Sequence, residues 1–482
     1  METHILEELR AVVGDDGLIA EHDQLRTYEC DGLTNLQMMP EAVVLPRSTA
    51  EVQGVVRVCA RAGVPFVARG AGTGLSGGAL PVLGGIVISL ARMNRILSVD
   101  LPNQRVVVEP GVINLHVTER VAPHGYYYAP DPSSQQVCSI GGNVAENAGG
   151  AHCLKYGFTA NHVLGLTVVL PDGAIAHLGG AALDTPGYDL AGVFVGAEGT
   201  LGIATEITLR IIRRAEAVQT MLAAFDSPDA AGQAVSAIIS AGILPAAIEM
   251  MDRLSIKAAE AAVHAGYPLE AGALLLVELD GPIVEVTTLA AEVRAICEDA
   301  GASEIRTAQS NAERALMWRG RKAAFAAMGR ISPNYIVQDG VIPRTALPDV
   351  LRAIARLGDE YGLRVANVFH AGDGNLHPLV LFDAAAGETE RAEELSGEIL
   401  RLCVRAGGSI TGEHGVGAEK RMYMAEMFST PDMDTMQRVR CAFDPRRLSN
   451  PDKLFPTPRL CGERPGIYHE HPLVTAGLAE LF

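Results

Sequence analysis

Apolar and polar positions in the first part of the chain predict short buried strands joined by one clear helix. Residues 41–45 (EAVVL) and 64–68 (VPFVA) are compact apolar runs of the kind that form buried strands. Between them, apolar residues recur every three or four positions after the capping residue Ser48, as on the buried face of a helix. The pattern predicts a β-α-β opening whose second strand leads into the glycine-rich residues 69–79.

Further apolar runs predict that this region continues as strands to about residue 214. More strands are expected at 86–90, 105–109, 163–170, 174–178 and 205–212, with a short helix at 112–122. The runs on either side of the turn sequence PDG at 171–173 predict a hairpin.

From about residue 216, strands and helices alternate regularly. Strands are expected at 219–225, 246–251, 273–279 and 303–307, and helices at 229–241, 254–265 and 283–300. Two such β-α-β units are typical of a ferredoxin-like plan, an antiparallel sheet with helices on one face. Helices containing 318–328 and 347–361 and strands at 335–341 and 365–369 follow.

Length, composition and charge narrow the class of protein. A chain of 482 residues is too long for one ordinary core, so two or three domains are expected. With 48% apolar and 20% charged residues it is a folded globular protein. A net charge of −18 argues against nucleic acid or an anionic membrane as partner, so an anionic substrate would need local cations.

The eight cysteines are scattered, with no CxxC pair or zinc-finger spacing. In a chain of this size they indicate reduced thiols in a cytosolic compartment and argue against an iron–sulfur cluster held within this chain. The N-terminus lacks an apolar signal region, and no apolar run approaches 18 residues. Neither export nor membrane spanning is therefore expected.

Residues 69–79 (RGAGTGLSGGA) form the first candidate binding loop. Successive glycines let backbone N–H groups converge on an anion such as a pyrophosphate. Gly72, Gly74 and Gly77 match G-x-G-x-x-G, but a dinucleotide fingerprint opens a helix, whereas this loop leads into a strand. A P-loop would need a terminal Lys-Ser/Thr. We infer a pyrophosphate held by loop amides without a helix dipole.

A second loop system spans residues 130–150, where small and amide side chains dominate. Such a stretch can lie close against a flat polar ring and offer it many hydrogen bonds. The alternative is a flexible linker, which the apolar residues Cys138, Ile140, Val144 and Ala145 disfavour.

Candidate metal ligands occur in residues 369–377 (FHAGDGNLH) and 412–415 (GEHG). His370, His377 and Glu413 supply imidazole nitrogens and a carboxylate, which suit zinc, manganese or iron. Three protein ligands leave a position open for substrate, as in catalytic metal sites. The alternative is a pair of satisfied loop histidines beside a capping glutamate.

These motifs together resemble the flavoprotein 2-hydroxyacid dehydrogenases of the vanillyl-alcohol oxidase / p-cresol methylhydroxylase fold, and among them the enzymes that oxidise glycolate. Further similarity lies in EMMDRLSIKAAE from Glu249, HAGYP from His264 and WRGRKAAF from Trp318. The resemblance implies an α+β fold with three parts. These are a two-subdomain FAD-binding domain of the p-cresol methylhydroxylase type at 1–215, a ferredoxin-like antiparallel-sheet cap (substrate) domain with the metal motif at 216–425, and a C-terminal segment at 426–482 that returns to the FAD domain.

The resemblance also implies which residues bind FAD. The first loop would contribute Arg69, Gly70, Gly72, Thr73, Gly74, Leu75, Ser76 and Gly77. The second would contribute Pro130, Asp131, Ser133, Cys138, Ser139, Gly141, Gly142, Asn143, Ala145, Asn147 and Gly149. Glu198, Gly202 and Ile203 would approach the adenine side, and Asn450 the flavin.

Two positions depart from relatives. Some members of the fold tether FAD through a histidine where this chain has Thr73, so non-covalent FAD is expected. Relatives that act on dicarboxylic hydroxyacids tend to have a polar residue where this chain has Leu379, which favours a small substrate.

The implied reaction is oxidation of glycolate to glyoxylate, with D-lactate or D-2-hydroxyglutarate as the nearest alternative substrates. His370, His377 and Glu413 would bind the metal that chelates substrate, and His414 would remove the hydroxyl proton near its ordinary pKa of about 6.5. The hydride would pass to flavin N5. Arg321 and Lys322 would clamp the carboxylate, unless this stretch is only a solvated helix face.

Reduced FAD would pass electrons to a partner. The resemblance implies a second FAD-domain subunit and an iron–sulfur subunit, and a cytoplasmic location peripheral to the inner membrane. Two other classes remain open, a non-catalytic electron-relay subunit that holds FAD and a flavin reductase that consumes NADPH. The first predicts a broken histidine constellation, and the second has no need of one.

Overall fold

The computed structural model describes residues 1–182 and 186–456. The N-terminal region is defined here as residues 1–213. Its strands are β1 (Leu18–Ile19), β2 (Ala42–Val44), β3 (Phe66–Arg69), β4 (Ile86–Ser89), β5 (Ile96–Asp100), β6 (Arg105–Val108), β7 (Tyr126–Tyr127), β8 (Val163–Val169), β9 (Ile175–Gly179), β10 (Ile203–Arg210) and β11 (Ile212–Arg213). Its helices are α1 (Thr3–Val13), α2 (His22–Leu25), α3 (Thr49–Ala62), α4 (Asn114–Val121), α5 (Ile140–Glu146), α6 (Cys153–Tyr156) and α7 (Leu190–Phe194).

The first sheet has the order β1-β2-β4-β3, with β4 parallel to both of its neighbours. Helix α3 joins β2 to β3. It begins where the Ser48 side chain accepts a hydrogen bond from the Glu51 N–H and ends at Gly63, whose φ of +69° suits glycine. The predicted β-α-β opening is confirmed, and it delivers the first glycine loop at the end of β3.

The second sheet is antiparallel with the order β5-β6-β10-β8-β9, and β8 and β9 form the predicted hairpin. The sequence interpretation missed β5. It also treated 130–150 as loop throughout, whereas Ile140–Glu146 is a helix capped by Ser139. Two consecutive glycines lower the helix propensity of this segment, and the burial of Ile140 and Val144 in the core overrides that preference. The flexible-linker alternative is therefore wrong.

The C-terminal region, residues 214–456, contains one large sheet and most of the long helices. Its strands are β12 (Ala217–Phe225), β13 (Ala247–Asp252), β14 (Ala273–Gly281), β15 (Glu304–Thr307), β16 (Asn334–Val337), β17 (Arg364–His370) and β18 (Pro378–Phe382). Its helices are α8 (Pro228–Ser240), α9 (Arg253–Val263), α10 (Ile283–Asp299), α11 (Asn311–Ala327), α12 (Leu347–Tyr361), α13 (Thr389–Arg405), α14 (Met424–Met427) and α15 (Thr430–Phe443).

The large sheet is antiparallel, with the order β15-β12-β14-β13-β17-β18-β16. The expectation of helices on one face only is wrong, because helices cover both faces. Leu275 of β14 packs in the cluster that includes α8, α10, α12 and α13, while its neighbour Leu274 packs in the cluster that includes α9 and α11. Successive side chains of a strand point to opposite faces, so the nearly continuous apolar run of β14 requires cover on both.

Strands β17 and β18 pair as a hairpin, and their connection carries the predicted metal motif. β17 ends at His370 and β18 starts at Pro378, so His370 and His377 flank one tight turn. The sequence interpretation missed β18. Pairing of two adjacent strands is the physical reason that both histidines reach the same point.

Near its end the described chain contacts the first sheet. The Asn450 N–H donates to the Phe66 carbonyl at 2.8 Å, and Ser449 forms an isolated β-bridge with Phe66.

Part of the predicted C-terminal segment, residues 457–482, lies outside the described residues. A search of the described helices finds none with the length and apolar character needed to cross a membrane.

Within residues 1–182 and 186–456, six cysteines are free thiols, namely Cys30, Cys59, Cys138, Cys153, Cys297 and Cys403. Cys441 is disulfide-bonded, so the expectation of reduced thiols throughout is wrong at this position.

Candidate functional site

A cavity of about 700 Å³ lies where the N-terminal and C-terminal regions meet. The two glycine-rich segments line it from one side. Residues of α11, β16 and the GEHG loop at 412–415 line it from the other. The geometry therefore brings the predicted cofactor loops and part of the predicted metal motif to one space.

Most of the first loop faces this cavity. The lining residues are Arg69, Gly70, Gly72, Thr73, Gly74 and Leu75. A Cβ at Gly74 would enter open space, with no atom of the protein within 4 Å, so the backbone there is free to approach a bound molecule. Ser76 and Gly77 do not line the cavity, because the Ser76 carbonyl accepts from the Ala418 N–H and Gly77 packs against Leu36.

The second segment also contributes most of its predicted residues. Those that line the cavity are Ser133, Cys138, Ser139, Gly141, Gly142, Asn143, Ala145 and Gly149. The other three predicted residues, Pro130, Asp131 and Asn147, do not line the cavity. The Pro130 carbonyl accepts from Asn114 and the Asn147 side chain accepts from the Ala160 N–H. Asp131 pairs with His152, its carboxylate oxygen 3.0 Å from Nδ1.

Glu198 and Asn450 line the cavity and connect its parts. The Asn450 amide donates to the carbonyls of Gly78 at 2.9 Å and Glu198 at 2.6 Å. The Glu198 carboxylate accepts from the backbone N–H groups of Val416 and Gly417, each at 2.7 Å, and so holds the end of the GEHG loop. Gly202 and Ile203 do not line the cavity, and the buried Ile203 packs in the core of the first sheet.

His370, His377 and Glu413 converge at the end of the β17–β18 hairpin. The Nε2 atoms of both histidines lie 3.2 Å from Glu413 Oε1. One ligand atom from each of the three residues lies within 4.8 Å of the others, a set that can hold a divalent cation. Both ring nitrogens of His377 are buried and make no well-aligned hydrogen bond among the described residues, although Nε2 lies close to the Glu413 and Asp339 carboxylates. This disfavours the alternative of satisfied loop histidines.

Glu249 on β13 orients His370. Its Oε1 lies 2.7 Å from His370 Nδ1, which leaves Nε2 directed at the cluster. A carboxylate on the far nitrogen sets the tautomer that a metal-binding histidine needs. The sequence interpretation did not identify Glu249, although an acidic residue inside the apolar strand AIEMMD was an available signal.

Asp339 anchors the GEHG loop. Its carboxylate is fully buried and accepts from the backbone N–H groups of Gly412, Glu413 and His414 at 2.9, 3.2 and 2.8 Å. Burial opposes its ionisation, yet His414, Lys420 and His377 hold its pKa well below the ordinary value. The sequence interpretation also missed this residue, because nothing local in QDG at 338–340 reveals a partner more than 70 positions away.

Glu413 is ionised in this setting. Burial opposes the charge, but the imidazoles of His370 and His377 outweigh it and lower the pKa of Glu413 below its usual range. An ionised carboxylate is the form that ligates a cation.

His414 lines the cavity beside the cluster. Its ring stacks on that of His377 at 4.9 Å with an interplanar angle of 8°. Burial lowers the pKa of His414 to about 4, and the nearby charge of Asp339 only partly offsets this. The imidazole is therefore neutral at physiological pH, instead of titrating near 6.5 as the sequence interpretation assumed.

Arg321 and Lys322 have different surroundings. The Arg321 guanidinium is buried behind His370 and lies 2.6 Å from the Glu249 carboxylate, so the structure places it away from the substrate clamp that the sequence suggested. Lys322 lines the cavity, and its Nζ lies 3.7 Å from Asp131. The solvated-face alternative is wrong for Arg321. Neighbours on a helix point about 100° apart, which is why only one of the two reaches the cavity.

We expect Glu249→Gln to weaken metal binding by about 10- to 100-fold, as loss of a carboxylate partner of a ligating histidine does elsewhere. Glutamine can still contact His370 but no longer offers it a charge, and it leaves Arg321 unpaired. Metal content after dialysis against increasing concentrations of a chelator measures the effect. Glu285→Gln, at an exposed position, is the control. Equal metal retention by both variants would contradict this role for Glu249.

Two family models match the chain. The FAD binding domain model matches residues 40–179, and the model of the C-terminal domain of FAD linked oxidases matches residues 214–454. The cavity fits FAD, since open backbone at Gly74 and many glycines face it.

Similar proteins of known name cover nearly the whole chain. It is 52% identical to glycolate oxidase subunit GlcD of Escherichia coli K12, over 97% of this chain and 94% of that protein. It is 40% identical to GlcD of Bacillus subtilis 168, over 94% and 96%. It is 33% identical to D-lactate dehydrogenase of Anaerostipes hadrus, over 92% and 94%.

Among solved structures, p-cresol methylhydroxylase with substrate bound matches with a TM-score of 0.80 at 19% identity, covering 94% of this chain and 96% of that one. This likeness shows the fold and confirms the predicted α+β architecture. With the two family models and the long matches above, the chain belongs to the FAD linked oxidases and is an FAD-dependent oxidoreductase.

Proposed function

We propose that this protein oxidises a small 2-hydroxyacid, glycolate, to glyoxylate. One observation carries the proposal. His377 and Glu413 of the predicted metal site, together with His414, line the same cavity as the FAD-binding glycine loops. An oxidation of this kind needs an acceptor for the hydroxyl proton and an acceptor for the C2 hydride. Residues that could take the proton and loops that would hold the hydride acceptor line the same cavity. The resemblance to GlcD supports the same substrate.

The residues of this chain would act as follows. His370, His377 and Glu413 would hold a divalent cation, with the tautomer of His370 set by Glu249. When bound, FAD would supply the hydride acceptor and the cation would supply Lewis acidity towards the substrate hydroxyl. His414, kept unprotonated by burial, would take the hydroxyl proton as the C2 hydrogen leaves with its electron pair.

Lys322 is the candidate partner of the substrate carboxylate. On the side of the cavity formed by the C-terminal region it is the only Lys or Arg among the described lining residues. The apolar residues that line this side are Phe325, Ala326, Pro333, Ile336, Val337, Phe382 and Ala384, and Asn334, Tyr335 and Thr389 add neutral polar groups. A single cation on this side favours a monocarboxylate, because a second carboxylate would be desolvated there without a cationic partner. Leu379, by contrast, is buried in the core and does not line the cavity.

The test is anaerobic mixing of the FAD-loaded protein with glycolate, D-lactate, L-lactate and D-2-hydroxyglutarate, followed by the flavin absorbance band. We expect glycolate to bleach the band most efficiently and D-2-hydroxyglutarate to do so least. Bleaching by NADPH but by none of the acids would instead indicate a flavin reductase. No bleaching by any reductant of either class would support the electron-relay alternative.

D-lactate is the second candidate substrate. The chain is 33% identical to the D-lactate dehydrogenase of Anaerostipes hadrus, and the apolar residues that line this side of the cavity would accept the extra methyl group of D-lactate. A larger specificity constant for D-lactate than for glycolate would favour this assignment.

FAD would be held without a covalent bond, since Thr73 offers no imidazole for attachment. Reduced FAD would pass its electrons to partner subunits. GlcD is by name one subunit of glycolate oxidase, which supports an assembly of this kind. We propose a second FAD-domain subunit and an iron–sulfur subunit as partners, with the complex peripheral to the inner membrane.

A further inference from the structure

A row of alternating charges runs from the cavity across the contact between the two regions. It starts at Lys322 and continues through Asp131, His152 and Glu278 to Arg314. The successive nitrogen–oxygen separations are 3.7, 3.0, 3.2 and 2.6 Å. Asp131 and His152 belong to the N-terminal region and the other three residues to the C-terminal region. Each charge in the row has an opposite charge on either side of it, except at the two ends.

His152 occupies the centre of this row, and both of its ring nitrogens face carboxylates. Nδ1 lies 3.0 Å from Asp131 Oδ2 and Nε2 lies 3.2 Å from Glu278 Oε1. A neutral imidazole has one N–H, so its other nitrogen would turn a lone pair towards a carboxylate oxygen. Only the doubly protonated ring satisfies both contacts. Burial lowers the pKa of His152, but the two carboxylates outweigh it and raise the pKa to about 10.

The Glu278 end of the row is rigid. Its buried carboxylate on β14 accepts from Arg314 Nε at 2.9 Å and from the Trp318 indole N–H at 2.6 Å. The His152 ring also lies against that of Trp318, with 5.5 Å between centroids. Glu278 and Trp318 of the C-terminal region thus hold the His152 ring from one side.

The Asp131 end reaches the cavity through Lys322. Asp131 also accepts from the His152 backbone N–H at 3.3 Å, so side chain and main chain of one residue set its position. The long side chain of Lys322 is 38% exposed and has many rotamers, and Asp131 restricts where its ammonium can lie.

We propose that His152 is a positioning residue: its imidazolium joins the two regions and, through Asp131, fixes the ammonium of Lys322 where the substrate carboxylate binds. The assignment of Lys322 to the carboxylate rests on the proposed function. The contribution of His152 acts through Asp131 and Lys322 and involves no contact with the reacting atoms. The imidazolium of His152 needs no acid–base role in the reaction.

A double-mutant cycle of His152→Gln and Lys322→Met tests the proposal. Glutamine can donate to one carboxylate but not as a cation to both. We expect His152→Gln to raise KM for glycolate by roughly tenfold, within the range found for coupled charged neighbours, with a smaller change in kcat. In the Lys322→Met background the same change should leave KM unaltered, because the ammonium it positions is gone. Additive effects on KM, or an unchanged KM in the single variant, would overturn the proposal.

A binding measurement makes the test independent of turnover. Acetate, a simple carboxylate probe, is titrated into the oxidised FAD-loaded protein and its dissociation constant is read from the perturbed flavin band. We expect His152→Gln to weaken acetate binding by a similar factor. In the Lys322→Met background, His152→Gln should not weaken acetate binding further. If wild-type flavin is reduced by none of the hydroxyacids, the proposed function fails, while the acetate cycle still decides the role of His152.

Two further variants separate positioning from general damage. His152→Arg keeps a cation between the carboxylates and should restore part of the acetate affinity. If His152→Gln does not fold, Asp131→Asn replaces it in the cycle, since it leaves His152 with Glu278 and removes the charge that links His152 to Lys322. Equal loss in His152→Arg and His152→Gln, with normal affinity in Asp131→Asn, would contradict the proposed route.

Discussion

Replacing His414 with alanine is expected to slow flavin reduction by glycolate by about 10²- to 10⁴-fold, the usual contribution of a general base. The imidazole lines the cavity, stacks on His377 and is neutral at physiological pH, so it is the described base best placed to accept the hydroxyl proton. Single-turnover reduction under anaerobic conditions measures this step directly. Bound FAD and bound metal should remain at wild-type levels, because His414 is not among the three predicted ligands.

His116 on α4 provides the matched control, since it is exposed and does not line the cavity. His116→Ala should leave reduction unchanged. If His414→Ala reduces its flavin as fast as the control does, another group removes the proton and the assignment to His414 is wrong. Loss of metal together with activity in His414→Ala would instead place it among the ligands.

Replacing His377 with alanine should remove metal and activity together. The residue lies between Glu413 and His414 at the centre of the cluster, and neither of its ring nitrogens makes a well-aligned hydrogen bond among the described residues. A Lewis-acid metal contributes several kcal/mol to a transition state, so turnover should fall by about a thousandfold or more. Elemental analysis of the purified protein and steady-state rates are the two measurements.

FAD content distinguishes this effect from misfolding. Both glycine-rich segments lie outside the β17–β18 hairpin, so His377→Ala should keep its flavin. Glu413→Gln should behave in the same way, because it removes the charge that a cation requires while conserving volume. A variant of either kind that holds no metal but turns over at the wild-type rate would disprove the metal-assisted reaction.

Much of the fold could be predicted because its signals are local. Capping at Ser48 and helical spacing after it marked α3, and the PDG turn marked the β8–β9 hairpin. Each of these depends on residues close together in sequence. The helix Ile140–Glu146 escaped prediction because its stability comes from burial of Ile140 and Val144, which local propensity does not report.

The candidate site was predictable where function demands unusual residues in short motifs. Glycine loops and the FHAGDGNLH and GEHG segments stand out by composition alone. The residues that hold these motifs in place do not stand out in this way. Glu249 contacts His370, 121 positions away, Asp339 contacts residues 73 to 75 positions away, and His152 contacts Glu278, 126 positions away. Nothing in the segment around any of the three names its partner.

By itself, the order of residues determined the chemistry available to this protein: which side chains can ligate, accept a proton or let backbone approach a ring. Only the tertiary structure decided which of them meet. Arg321 and Lys322 are adjacent in the chain, yet one is buried against Glu249 and the other faces the cavity. The reason is geometric, because contacts between distant strands and helices depend on how the whole sheet packs, and no short segment carries that information.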